Sequence, residues 1–98
     1  MRVLIIEDNP DIAANIGDYL DEKGHMVDFA GDGITGLHLA IVNDFDAIVL
    51  DLALPGMDGL ELCRHLRAQT PHTAILMLTA RTTELDRVLG RKTLEFRC

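Results

Sequence analysis

The sequence predicts an α/β fold built on a parallel sheet, because short apolar runs alternate along the chain with segments of helical periodicity. The runs VLIIE (3–7), AIVLD (47–51) and ILMLT (75–79) are almost continuously apolar, as expected for strands covered on both faces. Residues 25–30 alternate more between apolar and polar side chains, which suits an edge strand with one wetter face. We therefore expect right-handed βαβ crossovers between these strands.

Helix-start signals follow the predicted strands. Asn9 can cap a first helix that has Pro10 at its first position, and Asp32 starts a second helix. A third helix is predicted from about residue 58 through 68, and TTELDRVL (82–89) begins a fourth. In sheets of this kind, ligands bind outside the carboxyl ends of the strands.

Size and composition indicate one small globular domain. The chain has 98 residues, of which 48% are hydrophobic, and this is enough for a single core. The net charge of −7 argues against direct nucleic-acid binding, because phosphate backbones require a basic face. The first apolar stretch, VLII, is too short for a signal peptide or a membrane span, so no membrane association is expected.

The cysteines favour a reducing compartment. Cys63 and Cys98 are the only two, and their separation gives neither a disulfide framework nor zinc-ligand spacing. A cytoplasmic location is therefore expected.

Acidic and hydroxyl side chains are concentrated where the predicted strands end. Glu7 and Asp8 close the first apolar run, while Asp51 and Thr79 close two later ones. Parallel strands end at one edge of a sheet, so these groups should converge, and clustered carboxylates repel one another unless a cation or a shared proton relieves them. Asp8 and Asp51 can each give Mg²⁺ one oxygen, the backbone carbonyl of Ala53 can give a third, and Glu7 can act through a bound water. The pattern predicts a magnesium and phosphoryl site.

Four segments, in order, resemble the receiver domain of bacterial two-component response regulators. They are IIEDNPDI (5–12), FAGDGITGL (29–37), IVLDLALPGMDGLEL (48–62) and ILMLTAR (75–81). The resemblance covers residues 1 to about 90. The motif sequences look most like those of the subclass that carries a winged-helix DNA-binding domain. It implies a flavodoxin-like doubly wound parallel sheet with strand order 2-1-3-4.

The resemblance also implies a role for each group at the strand ends. Asp51 would be the phosphoacceptor, taking a phosphoryl group from the phosphohistidine of a histidine kinase. Glu7, Asp8 and Asp51 would hold Mg²⁺ together with the carbonyl of Ala53. Thr79 would hydrogen-bond the phosphoryl group and move on activation. A carboxylate is a competent nucleophile, and a divalent ion neutralises charge on the attacking and leaving oxygens.

The C-terminal part of the chain departs from the family pattern. Receivers have a lysine in a Lys-Pro context at the end of a fifth strand, about twenty residues after the threonine. Here RKTLEFRC follows Gly90, and Lys92 does not match that position. We expect the fifth strand and fifth helix to be missing, residues 1–90 to form an incomplete receiver domain, and residues 91–98 to form a divergent tail. Impaired switching would follow.

Loss of the fifth strand would leave the fourth strand as an open apolar edge, which is a pairing hazard. Residues 93–96 alternate enough to form a short replacement strand. Alternatively, residues 83–97 run on as one helix that faces a partner subunit. We therefore consider a homo-oligomer formed through the fourth strand, the fourth helix or the tail.

Three other functions compete with phosphoacceptance. GDGITG (31–36) matches a GxGxxG dinucleotide fingerprint, but it follows the second strand and the chain lacks the second half of such a fold. An aspartate-based phosphatase uses an Asp-x-Asp pattern, whereas Leu52 and Ala53 follow Asp51, so enzymatic turnover is not expected. The third alternative is a phosphorylation-incompetent, receiver-like binding module that acts by association or dimerisation.

Overall fold

The computed structural model describes residues 1–51, 54, 58–78 and 96–97. In chain order, the elements of this part of the chain are β1 (Arg2–Ile6), α1 (Pro10–Glu22), β2 (Met26–Ala30), α2 (Gly33–Val42), β3 (Ala47–Asp51), α3 (Gly59–Gln69), β4 (Ala74–Leu78) and β5 (Phe96–Arg97). Strands and helices alternate from β1 through β4, as the sequence predicts. The fourth helix predicted at 82–89 lies outside the described residues.

The described strands form one sheet in the order β2-β1-β3-β4-β5. Strands β1 to β4 are parallel to one another, so the predicted order 2-1-3-4 is confirmed. The pairing aligns Ile6 with Leu50 and Asp51 with Leu78. The carboxyl ends of β1 and β3 therefore lie side by side, at the usual strand separation of about 4.8 Å.

Helices cover both faces of the sheet, because successive strand residues point to opposite faces. Ile6 of β1 belongs to a core cluster with Ala40 of α2 and Leu62 of α3. Ile5 belongs to a second cluster with Ala13 of α1. Helices α2 and α3 thus cover one face and α1 covers the other, which is the doubly wound arrangement. All of β3 is buried, as its unbroken apolar run predicts.

Each described helix begins after an Asn or Asp side chain. Asn9 precedes α1, Asp32 precedes α2 and Asp58 precedes α3, and each side chain accepts from backbone N–H groups of the first turn. Caps of this kind are worth about 1 kcal/mol, because those N–H groups have no partner within the helix. Pro10 occupies the first position of α1, where a missing N–H costs nothing. The predicted starts of these three helices are confirmed.

The tail supplies a short fifth strand, which corrects two expectations. β5 runs antiparallel to β4, with Phe96 opposite Met77 and Arg97 opposite Leu76. The β4 edge is therefore paired at these positions and not left open. A helix that continues through residues 83–97 is wrong at residues 96 and 97. The replacement-strand alternative is closer to the structure, although the described strand begins at the last residue of the predicted 93–96.

Two further observations concern Cys63 and the described helices. Cys63 is buried in α3, and it is disulfide-bonded and not a free thiol. The expectation that the cysteines form no disulfide is wrong for this residue, so the cysteine pattern no longer supports a reducing compartment. Among the described residues, none of the helices combines the length and the apolar character needed to cross a membrane.

Candidate metal and phosphoacceptor site

Three carboxylates lie together at the carboxyl edge of the sheet. Glu7 and Asp8 directly follow β1, and Asp51 is the last residue of β3. The backbone N–H of Glu7 donates to the carbonyl of Ala30 at the end of β2 (3.0 Å), which holds the start of this loop against the neighbouring strand. The convergence predicted from the strand ends is observed for these three acids.

The carboxylates are close enough to share one cation. One oxygen each from Glu7, Asp8 and Asp51 can be chosen so that all lie within 4.8 Å of one another. Oxygen ligands of a single Mg²⁺ or Ca²⁺ lie about 2.0–2.6 Å from the ion, which places them about 3–5 Å apart. Glu7 and Asp51 are each only 5% exposed, whereas Asp8 is exposed. This set of hard, anionic donors with one solvent-facing member fits a divalent cation.

The pKa of Glu7 reflects its burial and its acidic neighbours. Its pKa is raised from 4.5 to about 7, mainly because burial disfavours the ionised form. The carboxyl groups of Asp51 and Asp8 raise the pKa further, while the N–H of Asn9 lowers it. A bound divalent cation would oppose this rise, because a nearby positive charge favours the ionised carboxylate.

Asn9 connects the acidic site to the start of α1. Its backbone N–H donates to Oε2 of Glu7 (3.2 Å). Its side-chain Oδ1 accepts from the backbone N–H groups of Asp11 (2.9 Å) and Ile12 (3.2 Å). One residue therefore caps the helix and orients a carboxylate. The Asn-Pro pair predicts the cap, but the bond to Glu7 depends on the loop conformation and has no sequence signal.

A cavity of about 340 Å³ adjoins the acidic site. Glu7 and Asp8 contribute polar groups to its wall, while Ala13 and Phe29 contribute apolar ones. A β-carbon placed on Gly17 of α1 would lie 2.5 Å from Cζ of Phe29, so the aromatic ring packs where this helix has no side chain. The sequence signal for this contact is a glycine in the middle of a helix, which often marks close packing.

The other two predicted site residues, Ala53 and Thr79, lie outside the described residues. Thr79 follows Leu78 directly in the sequence, and Leu78 is aligned with Asp51 in the sheet. Leu54, three residues after Asp51, is buried in the core. The ligand role of Ala53 and the switch role of Thr79 stay predictions.

The comparison with protein families decides the identity of the fold. The model of the response regulator receiver domain matches residues 3–93, which include β1 to β4 and the acidic cluster. The chain belongs to this family. Receivers of this family are the phosphoacceptor domains of two-component systems, so the resemblance seen in the sequence motifs is confirmed.

The similar curated proteins are longer transcriptional regulators. The chain is 44% identical over 90 residues to the transcriptional regulatory protein TcrA of Mycobacterium tuberculosis, covering 92% of this chain and 36% of TcrA. It is 41% identical over 90 residues to the transcriptional regulatory protein HprR of Escherichia coli, covering 92% of this chain and 40% of HprR. The chain therefore spans well under half of the length of these relatives.

Solved receiver structures share the fold. A CheY-like receiver domain protein from Methanospirillum hungatei superposes with a TM-score of 0.79 at 26% identity, covering 91% of this chain and 71% of that one. TrrA from Thermotoga maritima, in complex with Mg²⁺ and BeF, gives a TM-score of 0.78 at 31% identity, covering 83% and 70%. TrrA in complex with the histidine kinase ThkA gives a TM-score of 0.77 at the same identity and coverage.

Proposed function

We propose that this chain is a Mg²⁺-dependent phosphoacceptor domain that takes a phosphoryl group from a histidine kinase onto Asp51. The observation that carries the proposal is the position of Asp51, which is 5% exposed at the end of β3 with oxygens of Glu7 and Asp8 within 4.8 Å. Family membership and the Mg²⁺ complex of TrrA support the metal. The complex of TrrA with a histidine kinase supports the class of partner.

The proposed reaction transfers a phosphoryl group from nitrogen to oxygen. A carboxylate oxygen of Asp51 forms a bond to phosphorus while the bond between phosphorus and the kinase imidazole breaks. The electron pair of the broken bond stays with the imidazole nitrogen, and the product on Asp51 is an acyl phosphate.

Glu7, Asp8 and Asp51, with the backbone carbonyl of Ala53, are the proposed cation ligands. When bound, Mg²⁺ neutralises charge on the transferring oxygens. The N–H of Asn9 fixes the direction of the Glu7 carboxylate, so this acid is oriented before a cation arrives. We assign Thr79 the hydrogen bond to the phosphoryl group and the movement that follows phosphorylation.

Residues 1–90 are the proposed receiver unit, and residues 91–98 are its divergent tail. We expect impaired switching, because RKTLEFRC follows Gly90 in place of the family's continuation into a fifth strand. Losing one electrostatic partner of a reacting group typically costs about 3 kcal/mol, which weakens the reaction without abolishing it. The described tail strand also pairs antiparallel with β4, where the family pattern provides a parallel strand.

The acidic composition argues against nucleic acid and anionic membranes as direct partners. With a net charge of −7, the chain is not expected to bind nucleic acid or an anionic membrane surface by itself. Enzymatic turnover is not part of the proposal. Neither is an extracellular site of action, because histidine kinases of two-component systems phosphorylate their receivers in the cytoplasm.

One observation favours the alternative of a binding module without phosphorylation. The tail pairs with β4 through Phe96 and Arg97, so this segment has a structural use that differs from the family's lysine-bearing strand. In that case the acidic site would still bind a cation, but no covalent product would form.

The intact mass of the protein after incubation with acetyl phosphate distinguishes the two functions. We expect an adduct of one phosphoryl group that requires Mg²⁺ and is absent from Asp51→Asn. Asp18→Asn is the matched control, since it removes an exposed acid from α1 and should leave the adduct unchanged. Mg²⁺ binding without any adduct would support the binding module instead.

A further inference from the structure

Helix α2 packs Leu37 and Leu39 partly against the core, but it also leaves large aliphatic side chains exposed while its fully buried residues are small. Gly33, Gly36 and Ala40 are its buried residues. Ile34 is 74% exposed and Ile41 is 54% exposed. A surface helix normally turns its large aliphatic residues towards the core and its polar residues towards water.

The close approach of α2 to the sheet explains the small residues on its inner side. A β-carbon on Gly36 would lie 2.5 Å from Cδ1 of Ile6, so only glycine fits at this contact. Packing against the sheet does not explain the outer side. There Ile34, His38 and Val42 follow one another at intervals of four residues, with Ile41 beside them, and all four are exposed.

The outer side of α2 is also uncharged. None of the ten residues of the helix is Asp, Glu, Lys or Arg. By contrast, α1 carries four acidic residues without a base, and residues 1–78 together carry 13 acidic and 4 basic residues, a net charge of −9. A helix that is apolar on both sides and has no charge is typical of an element covered by another protein surface.

We infer that this outer surface of α2, formed by Ile34, His38, Ile41 and Val42, is where a second copy of this chain binds. The distribution of charge favours this surface of α2 over the acidic surfaces as the contact between two copies. Two strongly acidic copies repel one another across most of their surfaces, whereas apposed α2 helices bring together no charged side chains from the helices themselves.

The alternative site for self-association is less favourable. The β4 edge, which the sequence predicts as an open pairing site, is hydrogen-bonded to the tail at Leu76 and Met77. A two-fold contact through α2 needs no rearrangement, because the same uncharged surface is presented by both copies. It does not depend on Mg²⁺ or on phosphorylation.

The size of the surface sets the strength of the dimer. The ten residues of α2 make a helix about 15 Å long. Three exposed aliphatic side chains per copy bury well below the roughly 800 Å² per partner of a stable complex. The dimer is therefore weak, with a dissociation constant on the order of 0.1–1 mM.

Sedimentation velocity of the full chain, from about 20 μM to about 1 mM, tests this inference over the range that such a constant requires. Ile41→Glu is the test variant, and Leu60→Glu is the matched control. Leu60 is 55% exposed on α3, so both variants replace an exposed aliphatic residue and add one negative charge. We expect Ile41→Glu to weaken association at least tenfold and Leu60→Glu to change it less than twofold. A non-reducing gel identifies any disulfide-linked dimer.

A second measurement locates the contact without a variant. Amide chemical shifts of the wild-type chain, compared between dilute and concentrated samples, should change mainly within residues 33–43. A chain that stays monomeric throughout the concentration range overturns the inference. So do equal effects of the two variants, or dilution shifts confined to β4 or the tail. Ile34→Glu replaces Ile41→Glu if the thermal unfolding of the latter shows that it does not fold.

Discussion

The two edges of the sheet differ in the groups that surround their acidic side chains. At the amino edge, Nε and Nη2 of Arg2 donate to Oδ2 of Asp28 (3.0 and 2.8 Å), and its backbone N–H donates to Oδ2 of Asp46 (2.7 Å). At the carboxyl edge, Glu7 lies together with two other acids, with one carboxylate oxygen of each within 4.8 Å of the others. The amino edge thus holds an ion pair formed within the chain, whereas the carboxyl edge groups three acids in an arrangement that fits a cation.

The difference separates a structural ion pair from a binding site. The guanidinium of Arg2 also lies 4.8 Å from the centroid of the Phe45 ring, so its charge is paired and stacked within the fold. At the carboxyl edge, burial and then the neighbouring carboxyl groups of Asp51 and Asp8 raise the pKa of Glu7. Groups whose titration is perturbed by burial and by like charges are typical of functional sites.

The largest expected effect is a loss of stability of the metal-free protein as the pH rises. The pKa of Glu7 is about 7 in the folded chain and 4.5 as its ordinary value, so the folded state holds this proton more tightly. The resulting stabilisation is fully present below pH 4.5 and is lost as the pH rises through about 7. Urea unfolding in EDTA should show a decrease of up to about 3 kcal/mol from Glu7 between pH 5 and pH 8.

Glu7→Gln should remove most of that pH dependence. We expect the variant to be more stable than wild type by about 1–3 kcal/mol at pH 8 and nearly equal to it at pH 5. Asp18→Asn, which removes an exposed acid of α1, should leave the slope unchanged. An unaltered slope in Glu7→Gln would show that this carboxyl is not the group responsible.

Mg²⁺ should stabilise the wild-type chain at pH 8 by binding to the folded state. At one hundred times the dissociation constant, the expected gain in the free energy of unfolding is about 2.7 kcal/mol. The same addition should give no gain in Asp51→Asn, because that variant lacks one of the three carboxylates. Equal gains in both proteins would place the cation elsewhere.

Much of the carboxyl edge could be predicted from the sequence, because it depends on where strands end. Glu7 and Asp51 close apolar runs, and parallel pairing of β1 with β3 is sufficient to bring them together. The amino edge could not be predicted in this way. The contact of Arg2 with Asp28 depends on the register between β1 and β2 and on the side-chain rotamers, neither of which has a local signal.

The pairing of the tail and the packing of α2 could not be predicted from the sequence alone either. Pairing of Phe96 with Met77 joins residues far apart in the chain, and its antiparallel direction follows from the path of the chain and not from the alternation of residues 93–96. The side of α2 that faces the sheet can be identified only once Gly36 is known to contact Ile6, because the helix sequence is apolar on both sides.

A smaller effect is expected at the amino edge. Asp28→Asn removes the charge partner of Arg2, but the two side chains are 41% and 37% exposed, so solvent screens the pair. We expect a loss of at most about 1 kcal/mol, which is opposite in sign to Glu7→Gln. Unfolding at low and high salt measures it, and a gain in stability would contradict the contrast between the edges.

The smallest effect is expected from Arg2→Lys. The variant keeps the positive charge but loses the two-nitrogen contact with Asp28 and the planar stacking on Phe45. A decrease of about 0.5 kcal/mol should follow, measured by urea unfolding at pH 7. A loss above that of Asp28→Asn would mean that stacking, and not the ion pair, dominates this edge.

A titration of the protein with Mg²⁺, followed by backbone amide chemical shifts, tests the central claim most directly. We predict one saturable site with the largest changes at residues 7–9 and 51, lost in Asp51→Asn and retained in Asp28→Asn. The absence of saturable shifts in wild type, or an unchanged titration in Asp51→Asn, would contradict the claim that this edge holds its acids for a cation.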